Sequence, residues 1–123
     1  MRSRLILVVE DESSLRELIA SILLLDEHEV DTARDGVEAL YRIERRSYDL
    51  IISDLQMPNL DGPGLHDALR ERFGQALPRV LFVTGQADAD QFVPFLARTG
   101  DPVLTKPFSV DDLRRMVSWV LET

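Results

Sequence analysis

The chain has no cysteine among its 123 residues, only two histidines and a single tryptophan. Disulfides and thiolate metal centres are therefore excluded, and stability has to come from a packed core. No apolar run approaches the ~18–20 residues that cross a bilayer, so membrane insertion is not expected. Met1-Arg2-Ser3-Arg4 leads into an aliphatic strand rather than a signal-peptide core. With the missing cysteine, this points to a cytoplasmic protein. Basic residues are in the minority: 14 Lys and Arg against 22 Asp and Glu give a net charge of −8. A polyanion would be repelled at long range, which argues against direct nucleic-acid binding. No internal repeat, low-complexity stretch or linker is visible. The length suits one domain with one real core, so a single domain over residues 1–123 is expected.

What is present is an alternation of short apolar runs and helical stripes. Leu5–Val9 is continuously aliphatic, as in a central strand buried on both faces. Ser13 is placed to cap a helix whose stripe is Leu15, Leu18, Ile19, Ile22 and Leu23. Residues 29–33 alternate polar and apolar, which suits an edge strand. Asp35-Gly36 opens a second helix with Val37, Leu40 and Ile43 inward. A third strand is expected over Tyr48–Ser53, followed by a loop dense in breakers from Met57 to Pro63 and a short helix with Leu65, Ala68 and Leu69. Val80–Val83 reads as the fourth strand. Asp88–Arg98 reads as a helix with Phe92, Phe95 and Leu96 inward, disturbed by Pro94. Asp101–Thr105 is the fifth strand, and Ser109 caps a last helix with Val110, Leu113, Met116, Val117 and Val120 inward. Trp119 lies off that stripe. His28 and His66 match no metal-ligand spacing and are expected to face solvent. Five βα units predict an α/β fold, a doubly wound parallel sheet with helices on both faces.

The ends of these strands carry the chemistry. The first runs into Glu10-Asp11, the third into Asp54, the fourth into Thr84 and the fifth into Lys106-Pro107. Strands of a parallel sheet end at one edge, and ligands of open α/β sheets bind in the crevice outside it. Taken singly, these are loop acids, a turn threonine and a surface lysine. Taken together they are three acids, a hydroxyl and an ammonium around one point, which fits a Mg²⁺-assisted phosphoryl-acceptor site. A cation there would relieve the crowding of Glu10, Asp11 and Asp54.

Glu10-Asp11, the stretch from Ser53 to Pro58, Asp61-Gly62, Val83-Thr84-Gly85 and Lys106-Pro107-Phe108 occur in order, each at a strand end or in the loop that follows. In this the chain resembles a two-component response-regulator receiver domain of the chemotaxis type, from Leu5 to Leu121. The resemblance implies a flavodoxin-like five-stranded sheet in the order 2-1-3-4-5. It implies that Asp54 is the phosphoacceptor, assisted by Lys106 and Thr84, with the backbone of Gln56 and Gly85 at the phosphoryl group. It implies Mg²⁺ held by Asp11, Asp54 and the Gln56 carbonyl, with Glu10 acting through water. It implies a cis Lys106-Pro107 peptide and a switch involving Thr84 and the residue three before the lysine. That residue is Val103, where the family commonly has an aromatic. The side chains of Gln56 and Gln86 are expected to tune phosphate lifetime.

The implied partner is a histidine kinase or histidine phosphotransfer protein that donates from phosphohistidine, and a weak homodimer is compatible with this. The domain would catalyse only its own phosphorylation and dephosphorylation, so it is not expected to be an enzyme with a separate substrate. A relay or phosphate-sink receiver excised from a hybrid histidine kinase is the alternative within the family. Outside it stand a flavodoxin-like cofactor binder, for which Glu10-Asp11-Glu12 is hostile to phosphate, and an aspartyl-phosphate phosphatase, which would want an acid where Gln56 stands. His66-Asp67 as a phosphotransfer histidine would require a helical bundle that the pattern does not provide.

Overall fold

A computed structural model describes residues 3–123; Met1 and Arg2 lie outside the described residues. Among the described residues there are five strands and six helices, alternating except where two helices follow the fourth strand. β1 (Leu5–Val9) is followed by α1 (Ser13–Leu25), β2 (Glu29–Ala33), α2 (Gly36–Ile43), β3 (Leu50–Ser53) and α3 (Gly62–Phe73). The second half runs through β4 (Arg79–Gly85), α4 (Gln86–Gln91), α5 (Val93–Thr99), β5 (Val103–Lys106) and α6 (Val110–Glu122). All neighbouring strands pair in parallel, in the order β2-β1-β3-β4-β5, as the resemblance implied.

The period of two along each strand divides the core into two layers. Leu7, Val9, Ile51 and Phe82 face one way and pack with Ala39 and Ile43 of α2, Leu65 and Leu69 of α3, and Phe95 of α5. Ile6, Val8, Ile52, Leu81 and Val83 face the other way and pack with Ile19, Ile22 and Leu23 of α1 and Leu113, Val117 and Val120 of α6. Each fully buried side chain of this size contributes about 1.5–3 kcal/mol. The sheet is thereby clamped on both faces, which makes its C-terminal edge a rigid platform.

Several local expectations are corrected. Ser13 does not cap α1: the extended residue before the helix is Glu12, which forms no side-chain cap bond, and Ser13 is already in the first turn. Asp35, Asp61 and Ser109 do cap their helices, accepting from the backbone N–H of Glu38, Gly64 and Asp112. The single helix expected over Asp88–Arg98 is two helices divided at Phe92. The first starts directly after β4, and Pro94 falls in the first turn of the second, where its missing N–H costs nothing. The helix after the breaker loop is twelve residues long rather than short. Leu18, Val37 and Val110 are half exposed, because each apolar stripe is wider than the strip of sheet it covers. His28 and His66 are both buried rather than solvent-facing. A polar partner makes that tolerable in each case. His28 Nδ1 accepts from the Arg4 amide at 3.2 Å, while His66 Nε2 lies 3.2 Å from the Asp101 carboxylate and its ring meets Phe95 edge-on.

Candidate functional site

The sheet register carries four chain segments to one rim. Val9 is level with Ser53, Ser53 with Phe82, and Gly85 with Lys106. The ladder continues one residue beyond β1 and β3: the Glu10 amide donates to Ala33 O at 3.0 Å, and the Asp54 amide to Val9 O at 3.2 Å. Glu10 and Asp54 are thus fixed by backbone pairing before any side-chain contact forms.

Asp54 is 7% exposed and both of its oxygens are engaged. Oδ1 accepts from the Thr84 hydroxyl at 2.7 Å and from the Leu55 amide at 2.7 Å, with the Gln56 amide more distant at 3.4 Å. Oδ2 accepts from Lys106 Nζ at 3.1 Å. The same ammonium donates to Glu10 Oε1 at 3.3 Å, and Glu10 Oε2 accepts from the Glu12 amide at 3.1 Å. Asp11 stands beside them, exposed; one oxygen from each of Glu10, Asp11 and Asp54 lies within 4.8 Å of the others. Thr84 is fully buried, Lys106 partly so, and the Lys106-Pro107 peptide is cis.

The electrostatics follow from this crowding. Burial pushes the Glu10 carboxyl up to about 7; Asp11 and Asp54 push the same way, while the Glu12 amide and Lys106 pull against them. Burial works against the Lys106 charge, yet the Asp54 and Glu10 carboxylates outweigh it and hold its pKa above the ordinary lysine value. The donor set is all hard oxygen, half-sheltered, and carries more negative than positive charge. This fits Mg²⁺, which takes oxygen ligands and retains several waters.

Every residue singled out at a strand end reaches the rim, and the residues expected to tune phosphate lifetime or to switch are placed as follows. The Gln86 side chain donates to Asp90 on its own helix at 2.9 Å, and Gln56 is exposed. Val103 packs against the layer that contains Phe82 and Phe95, already half-buried. Sequence reasoning missed Arg16, which donates to the Glu10 carbonyl at 2.9 Å and ties α1 to the site; no pattern in the chain announces that contact. It also missed a tie between Asn59 and Asp35.

A parallel sheet in this order, with acids and a lysine gathered at its C-terminal edge, defines a phosphoacceptor-type α/β domain. Residues 6–118 match the response regulator receiver domain family. Among curated proteins, the chain is 33% identical over 121 residues to the probable transcriptional regulator ycf27 of Porphyridium aerugineum, covering 98% of this chain and 49% of that protein. It is 36% identical over 114 residues to the sensor histidine kinase RcsC of Salmonella typhi, covering 93% of this chain and 12% of the kinase. The chain thus spans about half the length of the first relative and about an eighth of the second. Among solved structures, the chemotaxis response regulator CheY4 of Vibrio cholerae superposes with a TM-score of 0.87 at 28% identity, covering 97% of this chain and 99% of that one. The chain belongs to the response regulator receiver domain family, whose members are the phosphoacceptors of two-component signalling. Among the described residues no helix is long and apolar enough to cross a membrane.

Proposed function

We propose that Asp54 is the phosphoacceptor of this receiver, that residues 1–123 act as one unit, and that the donor is a phosphohistidine on a histidine kinase or phosphotransfer protein. The observation that carries this reading is the state of the Asp54 carboxylate. It is buried at a strand end, one oxygen is held by Thr84 and Leu55, and the other meets Lys106. In the transfer, an Asp54 oxygen attacks phosphorus in line, the bond from phosphorus to the imidazole nitrogen breaks, and the departing imidazole keeps the electron pair. No base is needed, because a carboxylate nucleophile has no proton to surrender as the bond to phosphorus forms. Such transfers demand alignment and charge neutralisation more than covalent assistance.

Asp11, Asp54 and the backbone carbonyl of Gln56 would hold Mg²⁺ directly, with Glu10 reaching it through water; when bound, the ion neutralises phosphoryl charge. Lys106 supplies a second positive charge as a flexible point cation. The Thr84 hydroxyl and the Gly85 amide donate to phosphoryl oxygens. Thr84 would transfer its bond from Asp54 Oδ1 to the phosphoryl group, and that movement is the conformational switch. Val103 presents no ring to swing inward, so Thr84 carries the switch without the usual aromatic partner. Together with the likeness to RcsC, this favours a relay or sink role within a longer kinase as the second reading. The domain catalyses its own phosphorylation and dephosphorylation and turns over no separate substrate. A cytoplasmic location follows from that of a kinase's phosphohistidine.

The test is transfer of labelled phosphate from a phosphohistidine donor in the presence of Mg²⁺. Wild type should gain a label that hydroxylamine removes, and Asp54→Asn should gain none. A variant that labels like wild type would refute the assignment.

A further inference from the structure

The loop between β3 and α3 contains Gln56, whose carbonyl is one of the proposed Mg²⁺ ligands. Its base is closed by a bond from the Gly62 amide to Leu55 O at 2.8 Å, and Met57 is buried beneath it. These contacts set how deep the loop sits. Its lean is set from outside the acidic site, at the N-terminus of α2. Asn59, with φ at 70°, donates from Nδ2 to Asp35 Oδ2 at 2.7 Å. The other oxygen of Asp35 accepts from the Glu38 amide at 2.8 Å, so one carboxylate both caps α2 and anchors the loop.

Leu60 completes the clamp. A Cβ on Gly36 would come within 2.5 Å of Leu60 O and 2.8 Å of Leu60 Cβ; one on Gly64 would come within 2.5 Å of Leu60 Cδ1. At Gly36 the clash is with the Leu60 backbone and Cβ, which cannot swing aside; at Gly64 it is with the tip of the Leu60 side chain, which a larger residue would push out of its seat. The two glycines form a slot, one wall on α2 and the other on α3, and Leu60 fills it. The slot holds the loop tip against α2, and the Asn59 bond fixes its orientation there.

We infer that Asp35 and Asn59 are positioning residues of the phosphoacceptor site: their hydrogen bond, with Leu60 seated between Gly36 and Gly64, fixes the Gln56 carbonyl relative to Asp11 and Asp54 and so sets Mg²⁺ affinity. This rests on the Mg²⁺ site proposed above. A freed loop spends only part of its time with the carbonyl aimed at the site, and apparent affinity falls by that fraction. Partners one shell out from a metal typically change affinity 10–100-fold. Asn59 acts through three further residues of chain, so a loss of about 3–10-fold is expected.

The experiment is calorimetric Mg²⁺ titration of the whole chain in four forms. Asn59→Gly removes the amide while tolerating positive φ and leaves net charge unchanged. Asn59→Asp sets two carboxylates against each other. Asp35→Asn combined with Asn59→Asp reverses donor and acceptor, restores the bond, and still leaves an oxygen at position 35 to cap α2. Asn59→Gly should bind Mg²⁺ about 3–10-fold more weakly and Asn59→Asp at least as weakly, with the double variant returning to within about two-fold of wild type. In the metal-free protein, amide exchange over residues 55–60 should quicken in Asn59→Gly and return to the wild-type rate in the double variant. A merely structural bond would lower the melting temperature without moving the affinity. Unchanged affinity in Asn59→Gly, or a double variant as weak as Asn59→Asp, would overturn the inference. Asp11→Asn separates the two failures. If it leaves binding intact, the metal site itself is misassigned. If it abolishes binding while the position-59 variants are indifferent, only the loop inference falls.

Discussion

Replacing Lys106 by methionine keeps most of the side-chain volume and removes the one ammonium the structure places between Asp54 and Glu10. That ammonium lies 3.1 Å from Asp54 Oδ2 and 3.3 Å from Glu10 Oε1, and both carboxylates are almost fully buried. At an effective dielectric near 20, the Lys106–Asp54 pair carries a gross attraction of about 5 kcal/mol, and Glu10, its carboxyl pushed up to about 7, adds a weaker one. Much of that is offset by the cost of sheltering the ions, and removing one partner of a buried pair typically costs about 3–5 kcal/mol. Lys106 retains 27% side-chain exposure, so water screens part of the interaction and a net loss of about 2 kcal/mol is expected. For a domain of this length, that corresponds to a fall of roughly 6–10 °C in Tm. Thermal melts followed by circular dichroism, in chelator and in saturating MgCl₂, provide the assay. The variant should be markedly less stable than wild type in chelator, and Mg²⁺ should stabilise it by a larger increment than wild type, because the cation takes over the missing charge. Equal melting temperatures in chelator, with equal Mg²⁺ increments, would refute the view that Lys106 neutralises an otherwise repulsive acid cluster.

Three further perturbations probe other contacts. Thr84→Val keeps the shape but deletes the bond to Asp54 Oδ1; because Leu55 still donates to that oxygen, denaturant melts should show a loss of about 1–2 kcal/mol, with Thr84→Ser retaining the bond. His28 tests the buried imidazole. Burial holds its pKa below the ordinary histidine value of 6.5, with Asp26 pulling the other way. The folded state therefore favours the neutral ring: the His28 contribution to stability is level above pH 6.5 and falls below it, as the unfolded chain takes up a proton that the native state resists. Asn at position 28 preserves an acceptor for the Arg4 amide, so His28→Asn should flatten that part of the urea-melt pH profile; an unaltered profile would exclude His28 as its source. Asp26 takes two bonds from Arg114 across the end of α1, which hold its carboxyl below the usual range. Arg114→Ala should lower the urea-melt stability slightly at neutral pH and progressively less as acid protonates Asp26.

The site was legible because the chemistry-bearing residues sit at the ends of recognisable strands. Once the apolar runs ending at Val9, Ser53, Val83 and Thr105 are read as parallel, Glu10, Asp11, Asp54, Thr84 and Lys106 have to converge. Sheet order came from the family resemblance, with the alternating pattern of Glu29–Ala33 independently placing β2 at an edge. What stayed hidden depends on partners distant in the chain. His66 looks like a polar residue on a helix until Asp101 and Phe95 arrive from the other side of β4. Asn59 looks like a turn residue until α2 brings Asp35 to it. Ser13 has the right chemistry for a cap but stands one residue late, because Glu12 completes the turn out of β1. Pro94 signals a disturbance without saying whether it kinks one helix or begins another; that was decided by the start of α4 immediately after Gly85.

If Asp54 is the acceptor, a single carboxylate at the end of β3 carries the phosphoryl group. Borohydride reduces an acyl phosphate to an alcohol, so treating freshly phosphorylated protein and sequencing its peptides by mass spectrometry reads the acceptor directly. Homoserine is expected at position 54 and at no other acid. Reduction at Asp11 or Glu10, or phosphate recovered on a histidine, would contradict it.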